Sequence, residues 1–258
     1  GSGSDYSPYL QHMGIASLNI GFGGENGGGS YHTAYDTYEH YKRFGDPDFS
    51  YGVTLAKMMG RSTLRLANAE VLPFRFETFV GHVETYVKEI EELVETTRAE
   101  TLKHNRLVES GAYALAMDPK DGLQPPKAKS PVPHISFASV NNAVVALRAA
   151  AKAADSAVAT AEASDHLNVA IAQLERAMTS DEGLPRRPWF RHQVYAPGFY
   201  TGYGVKTLPG IREAAEELKW DEMNEQMIRV AAMMNAVTDA MNTIKNAASM
   251  GPVEETAR

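Results

Sequence analysis

The 258-residue sequence is 43% hydrophobic and 22% charged, the composition of a chain that folds round an apolar core rather than a disordered or collagen-like one. Its 25 basic residues against 32 acidic leave a net charge of −7, which repels phosphate backbones and argues against a general nucleic-acid binder. There is no cysteine, which excludes disulfides, thiolate zinc sites and a cysteine nucleophile, and no apolar run approaches the ~18 residues of a membrane span.

The chain opens on Gly1-Ser2-Gly3-Ser4, with neither Met nor a basic-then-apolar leader. Composition alone makes this opening a flexible linker, and the first residue leaves two possibilities, a leader removed or a start inside something longer. Gly14-Ile15-Ala16 and Leu18 to Phe22 suggest a short buried strand over 14–22. Six of the ten residues from Gly21 to Ser30 are glycine, so a loop follows. It lacks the Gly-Lys-Ser/Thr ending of a phosphate-binding loop and the GxGxxG spacing, and reads instead as a loop at the rim of a substrate site.

From Pro47 the pattern turns helical: Tyr51, Leu55, Met58 and Met59 recur at helical spacing until the breaker Leu72-Pro73-Phe74. Val83, Tyr86, Val87, Ile90, Leu93 and Val94 form an amphipathic stripe, with Glu89, Glu91 and Glu92 on the wet side. Residues 118–133 hold five prolines and several lysines and predict a surface loop. A long alanine-rich helix follows from about Ser139, its face lined by Val140, Val144, Leu147, Ala151, Ala154 and Val158. Asp165 is placed to cap the next helix, which buries Leu167, Ile171, Leu174 and Met178.

The clearest periodicity comes last. Met223, Met227, Val230, Met234, Val237, Met241, Ile244 and Ala248 step by 4, 3, 4, 3, 4, 3, 4, the 3.5-residue repeat of a helix packed lengthwise on others. Such a seam serves either an intramolecular bundle or a subunit interface. Between the helical segments, residues 183–210 are aromatic, basic and rich in turn formers, which suits either a functional loop or a well-packed one whose arginines pair with local acids.

Eight histidines are scattered without an HExxH or comparable cluster. His32, just after the glycine loop, is the one placed like a metal ligand, and Asp36 and His40 share a face with each other if that region is helical. A zinc centre needs about three or four protein ligands, which these residues do not supply.

Several segments, taken in order, resemble a known family. Gly1-Ser2-Gly3-Ser4-Asp5-Tyr6, Gly14-Ile15-Ala16-Ser17, Tyr31-His32-Thr33-Ala34-Tyr35-Asp36, Arg43-Phe44-Gly45-Asp46-Pro47 and Val71-Leu72-Pro73-Phe74 are similar to the closing part of the glutamate carboxypeptidase II family. The transferrin receptor is that family's non-enzymatic relative. Gly183 to Pro188, Arg191-His192, Tyr195-Ala196-Pro197 and Pro209-Gly210-Ile211 extend the resemblance to about residue 211, and make the first four residues native sequence.

The resemblance implies a co-catalytic zinc exopeptidase, of which this chain is the C-terminal portion: an α/β remnant followed by a mainly α-helical dimerisation bundle. Residues 1–67 would close the catalytic domain, and residues 68–258 would form the helical domain, with loop 183–210 reaching back to the substrate pocket. It further implies that His32 is a zinc ligand, that Tyr31 polarises the scissile carbonyl and stabilises the oxyanion, and that Ser2, Gly3 and Ser4 line the cleft. Tyr203 matches the tyrosine that meets the substrate's terminal carboxylate. Two zinc ions would serve the complete site, with the remaining ligands and the general base upstream, a peptide as substrate, a homodimer as the assembly and an exported parent protein.

The sequence departs from the family at informative places. Asn19 and Gly21 replace an arginine pair, Gly202 replaces the lysine that grips a glutamate side chain, and Ser4 replaces an asparagine. These changes put a preference for acidic peptides in doubt. The chain alone is expected to be inactive. The alternatives are a non-catalytic dimerisation module like that of the transferrin receptor and a stand-alone helical binding protein.

Overall fold

The computed structural model describes residues 4–23, 29–118, 120 and 122–250. The chain is predominantly helical, and among the described residues its only sheet is a two-stranded hairpin. It divides into two compact units, Ser17–Phe74 in one, Gly1–Ala16 with Arg75–Arg258 in the other. Among the described residues no helix is long and apolar enough to cross a membrane.

In the smaller unit, helix α1 (Tyr38–His40) starts where the Thr37 hydroxyl accepts the His40 N–H, and a wider turn over Tyr41–Gly45 continues it. Asp46 is buried, its carboxylate accepting the Tyr51 and Gly52 N–H groups at 3.3 and 2.8 Å and the Tyr41 hydroxyl at 3.3 Å. Desolvation, and then the Asp46 charge beside it, raise the Tyr41 phenol above its ordinary value. Helix α2 (Ser50–Ala67) falls where the periodicity placed it, yet none of its residues is buried: Tyr51, Met58, Leu64 and Leu66 all face outward. The strand expected over 14–22 is absent, and that stretch is irregular and mostly exposed. A strand needs a neighbouring strand to take its backbone hydrogen bonds, and no described segment forms a ladder with this one.

The larger unit is a bundle. Helix α3 (Phe76–Glu109) buries Val80, Val83, Val87, Ile90 and Val94 along the expected stripe. Short α4 (Ala112–Ala116) follows it. Helix α5 (Ala138–Val158) buries Val140, Ala143, Val144, Leu147, Ala150, Ala151 and Ala154, and these small side chains let the last helix approach closely. Helix α6 (Asp165–Gln173) runs into a tighter turn at Leu174–Met178. Its cap is Ser164, whose hydroxyl accepts the Leu167 N–H at 3.2 Å, so the expected cap Asp165 sits one residue inside, where its charge still suits the first turn.

Helix α7 (Pro209–Glu216) and helix α8 (Trp220–Met250) complete the bundle. The α8 seam from Met223 to Ile244 is buried throughout by its own chain, mostly by α5, and only the last step shifts, to Ala247. Gln226, Ala231 and Met233 widen the stripe beyond a two-helix seam, as a helix surrounded on several sides requires. The seam is therefore intramolecular. Strands β1 (Tyr195–Pro197) and β2 (Val205–Thr207) pair antiparallel beside α7, with Tyr195 opposite Thr207 and Pro197 opposite Val205.

Candidate functional site

The residues proposed from sequence fall into both units. In the smaller one, Tyr31 and His32 lie in a turn before α1, their rings stacked with centroids 3.8 Å apart. His32 takes the left-handed conformation at φ 58°, uncommon for a residue with a side chain. The turn is held by the Thr33 hydroxyl, which donates to the Ser30 carbonyl at 2.7 Å and accepts the Tyr35 N–H at 3.1 Å. The His32 N–H points to Asp36 Oδ2 at 3.4 Å. Asp36 precedes the helix and His40 lies in it against Phe44, so the two do not stand on one helical face.

His32 offers one exposed imidazole. Among the described residues no three His, Asp or Glu side chains converge as metal ligands would, so these residues do not build a zinc centre by themselves. Asn19 and Gly21 are exposed in the irregular stretch before the glycine loop.

In the larger unit, Ser2 and Gly3 lie outside the described residues, and the half-buried Ser4 accepts the Ser7 N–H with its carbonyl. The segment that follows is stapled onto the loop after α6. The Gln11 carbonyl accepts the N–H groups of Arg191 and His192 at 2.8 and 3.1 Å. His12 donates through Nδ1 to the Trp189 carbonyl at 2.7 Å and stacks on the Trp189 ring at 4.9 Å. Gly14, at φ 63°, lies so close to the bundle that a Cβ there would stand 2.8 Å from Arg176 Cα. Sequence reasoning placed Gly14 in a strand; its signal was a lone glycine beside apolar residues, which also marks close backbone approach.

Loop 183–210 pairs its arginines with nearby carboxylates, although Arg187 Nε is buried with no hydrogen-bond partner among the described residues. Arg186 donates to Glu222 at 2.8 and 2.9 Å, Arg187 to Glu213, and Arg191 to Asp181 at 3.3 Å. Glu217, bonded to the Lys219 ammonium and facing Arg186, is held below the ordinary carboxylate value. His192 is structural: its Nδ1 accepts the Val194 and Tyr195 N–H groups at 3.2 and 3.0 Å, and its Nε2–H donates to Glu175 at 2.9 Å. Two backbone donors on Nδ1 fix that tautomer. Burial, with Tyr6 beside it, raises the Tyr195 phenol.

The hairpin carries the remaining candidate. Residues 198–204 close between β1 and β2, with the Gly198 N–H bonded to the Gly204 carbonyl at 3.0 Å. Tyr203 is 59% exposed and Tyr200 78%, so the tip presents two phenols outward. Gly202, at φ 58°, has open space where a side chain would stand.

Comparison with known proteins agrees with this architecture. Residues 135–242 match the transferrin receptor-like dimerisation domain family. The probable glutamate carboxypeptidase LAMP1 of Arabidopsis thaliana is 31% identical over 90% of this chain and 30% of its own length. A probable glutamate carboxypeptidase of Arthroderma benhamiae is 30% identical over 84% of the chain and 26% of its length. The aminopeptidase NAALADL1 of Rattus norvegicus is 26% identical over 92% of the chain and 30% of its length. The chain thus spans less than a third of each of these relatives.

Proposed function

The chain belongs to the glutamate carboxypeptidase II and transferrin receptor-like family, and from that premise we propose that it is the C-terminal portion of a zinc exopeptidase that cleaves peptides. One observation carries this reading. The similarity to a probable glutamate carboxypeptidase covers 90% of the chain, whereas the dimerisation family matches only residues 135–242. Such a match takes in most of residues 1–134 as well, which favours a peptidase over a dimerisation module alone.

In this proposal His32 would give one imidazole to zinc, and the other ligands would come from residues outside this sequence. Tyr31, 65% exposed next to it, donates a hydrogen bond from its hydroxyl to the oxygen that becomes negative as the peptide carbonyl is attacked. Ser2, Gly3 and Ser4 line the cleft, and Tyr203 meets the substrate's end. Asn19, Gly21 and Gly202 supply no cation of their own to hold an acidic side chain, which argues against a preference for acidic peptides. The helical bundle makes the dimer.

The test is peptide hydrolysis by the longer protein that contains this chain. Loss of a metal ligand exceeds the roughly 10–100-fold that outer-shell partners cost, so His32→Ala is expected to lower activity at least about 100-fold. Tyr31→Phe is expected to lower kcat about 100- to 1000-fold, as for other oxyanion donors. Near-full activity in His32→Ala overturns the ligand assignment.

A further inference from the structure

We propose that the buried Arg187–Glu213 pair is a positioning device that fixes the hairpin loop 198–204 and thereby aims Tyr203 at the substrate; the second half rests on the functional proposal above. The side chains of Arg187 and Glu213 are 10% and 6% exposed, so both charges have left water. Their fork is bidentate, with Nη1 donating to Oε2 at 2.7 Å and Nη2 to Oε1 at 3.0 Å.

The same atoms grip the hairpin. Arg187 Nη2 also donates to the Pro197 carbonyl at 3.1 Å, and Glu213 Oε1 accepts the Phe199 N–H at 2.7 Å. These backbone groups flank Gly198, where β1 turns into the loop. The guanidinium carbons of Arg186 and Arg187 lie 5.4 and 5.8 Å from the Phe199 ring centroid, which holds the loop from a third side. Across the loop, the Thr201 hydroxyl donates to the Gly204 carbonyl at 2.7 Å. What these bonds leave outward are the rings of Tyr200 and Tyr203.

A buried ion pair is a poor source of net stability, because desolvation offsets its attraction; it sets which geometry forms. Here the pair joins three successive segments: the turn after Leu184, the hairpin and α7. Neither partner alone reaches both Pro197 and Phe199. A carboxylate that accepts three N–H groups and a guanidinium that spends its fork on one face have no slack to let the loop start shift.

Amide hydrogen exchange on the 258-residue chain tests the clamp. Glu213→Gln keeps an oxygen for the Phe199 N–H and loses the charge, and Arg187→Lys keeps the charge and loses the fork. Each is expected to speed exchange at Phe199, Thr201 and Gly204 by at least about tenfold while the α8 amides keep their protection, which shows that the bundle is folded. Unchanged exchange at those three amides in both variants overturns the clamp.

The catalytic half is read in the complete peptidase. Glu213→Gln and Tyr203→Ala are each expected to raise KM about tenfold with kcat within about twofold, a split that general unfolding does not produce. A loosened hairpin with KM unchanged in both variants removes the role of Tyr203 and its positioning while leaving the clamp intact. A KM that responds to Tyr203→Ala but not to Glu213→Gln overturns the positioning role alone.

Discussion

At the scale of single residues, the positions that matter most are those whose reason lies far away in the chain. Gly14 is held at φ 63° against Arg176, so a methyl group there meets both backbone strain and backbone atoms. Gly14→Ala is expected to cost about 2–4 kcal/mol, from roughly 1 kcal/mol of left-handed strain and about 1–3 kcal/mol of overpacking. Gly29 has nearly the same φ, 67°, and a Cβ there would meet no described atom within 4 Å, so Gly29→Ala is expected to cost only the strain, about 1 kcal/mol. Urea unfolding measures both. Faster exchange at the Arg191 and His192 amides in Gly14→Ala would show that the first segment has let go, because those amides donate to the Gln11 carbonyl. His32 shares the left-handed conformation with a side chain attached, and its turn holds it through Thr33 and Asp36. Strain of this kind recurs at working sites, but it does not by itself name the ligand.

At the scale of elements, the helices form from their own stripes and are finished by neighbours. Helix α3 begins at Arg75 without a side-chain cap of its own. Asp155, near the end of α5, supplies one instead, its two oxygens accepting the Phe76 and Glu77 N–H groups at 3.1 and 2.8 Å. The carboxylate also faces the positive end of the α3 dipole. Asp155→Ala is expected to destabilise the bundle by about 1–2 kcal/mol and to lower the midpoint of thermal unfolding, with Asp155→Asn in between. Indifference to Asp155→Ala would mean that water serves these N–H groups as well. The hairpin is an element of another sort. Two three-residue strands are too short to stand alone, and its shape comes from the ion pair beneath it.

At the scale of the whole molecule, the apolar surface is distributed unevenly. The α8 seam, which could have served a second subunit, is already spent inside one chain. If the bundle makes a dimer, as proposed, the interface uses other faces, and the seam methionines remain core in monomer and dimer alike. Sedimentation at micromolar concentration is expected to show a dimer, and a monomer there counts against that part of the proposal. Helix α2 is the opposite case: it has the stripe of a core helix, and none of its residues is buried. Patches of this sort belong to surfaces that something covers.

What the sequence determined by itself is what depends on neighbours a few residues away. The α3, α5 and α8 stripes and the span of α2 were legible because a helix makes its hydrogen bonds within itself, so its periodicity records which face is buried. The likeness to these relatives was legible for a related reason, since ordered short motifs survive as strings. The tertiary structure alone decided the rest. Whether 14–22 pairs as a strand, whether the α8 seam is internal, which carboxylate caps α3 and which one meets Arg187 all turn on partners tens of residues distant. Arg187 and Glu213 are 26 positions apart, and no pattern in the sequence links them. Strand pairing and buried charge pairs are contacts between remote segments, and only the folded chain brings their two halves together.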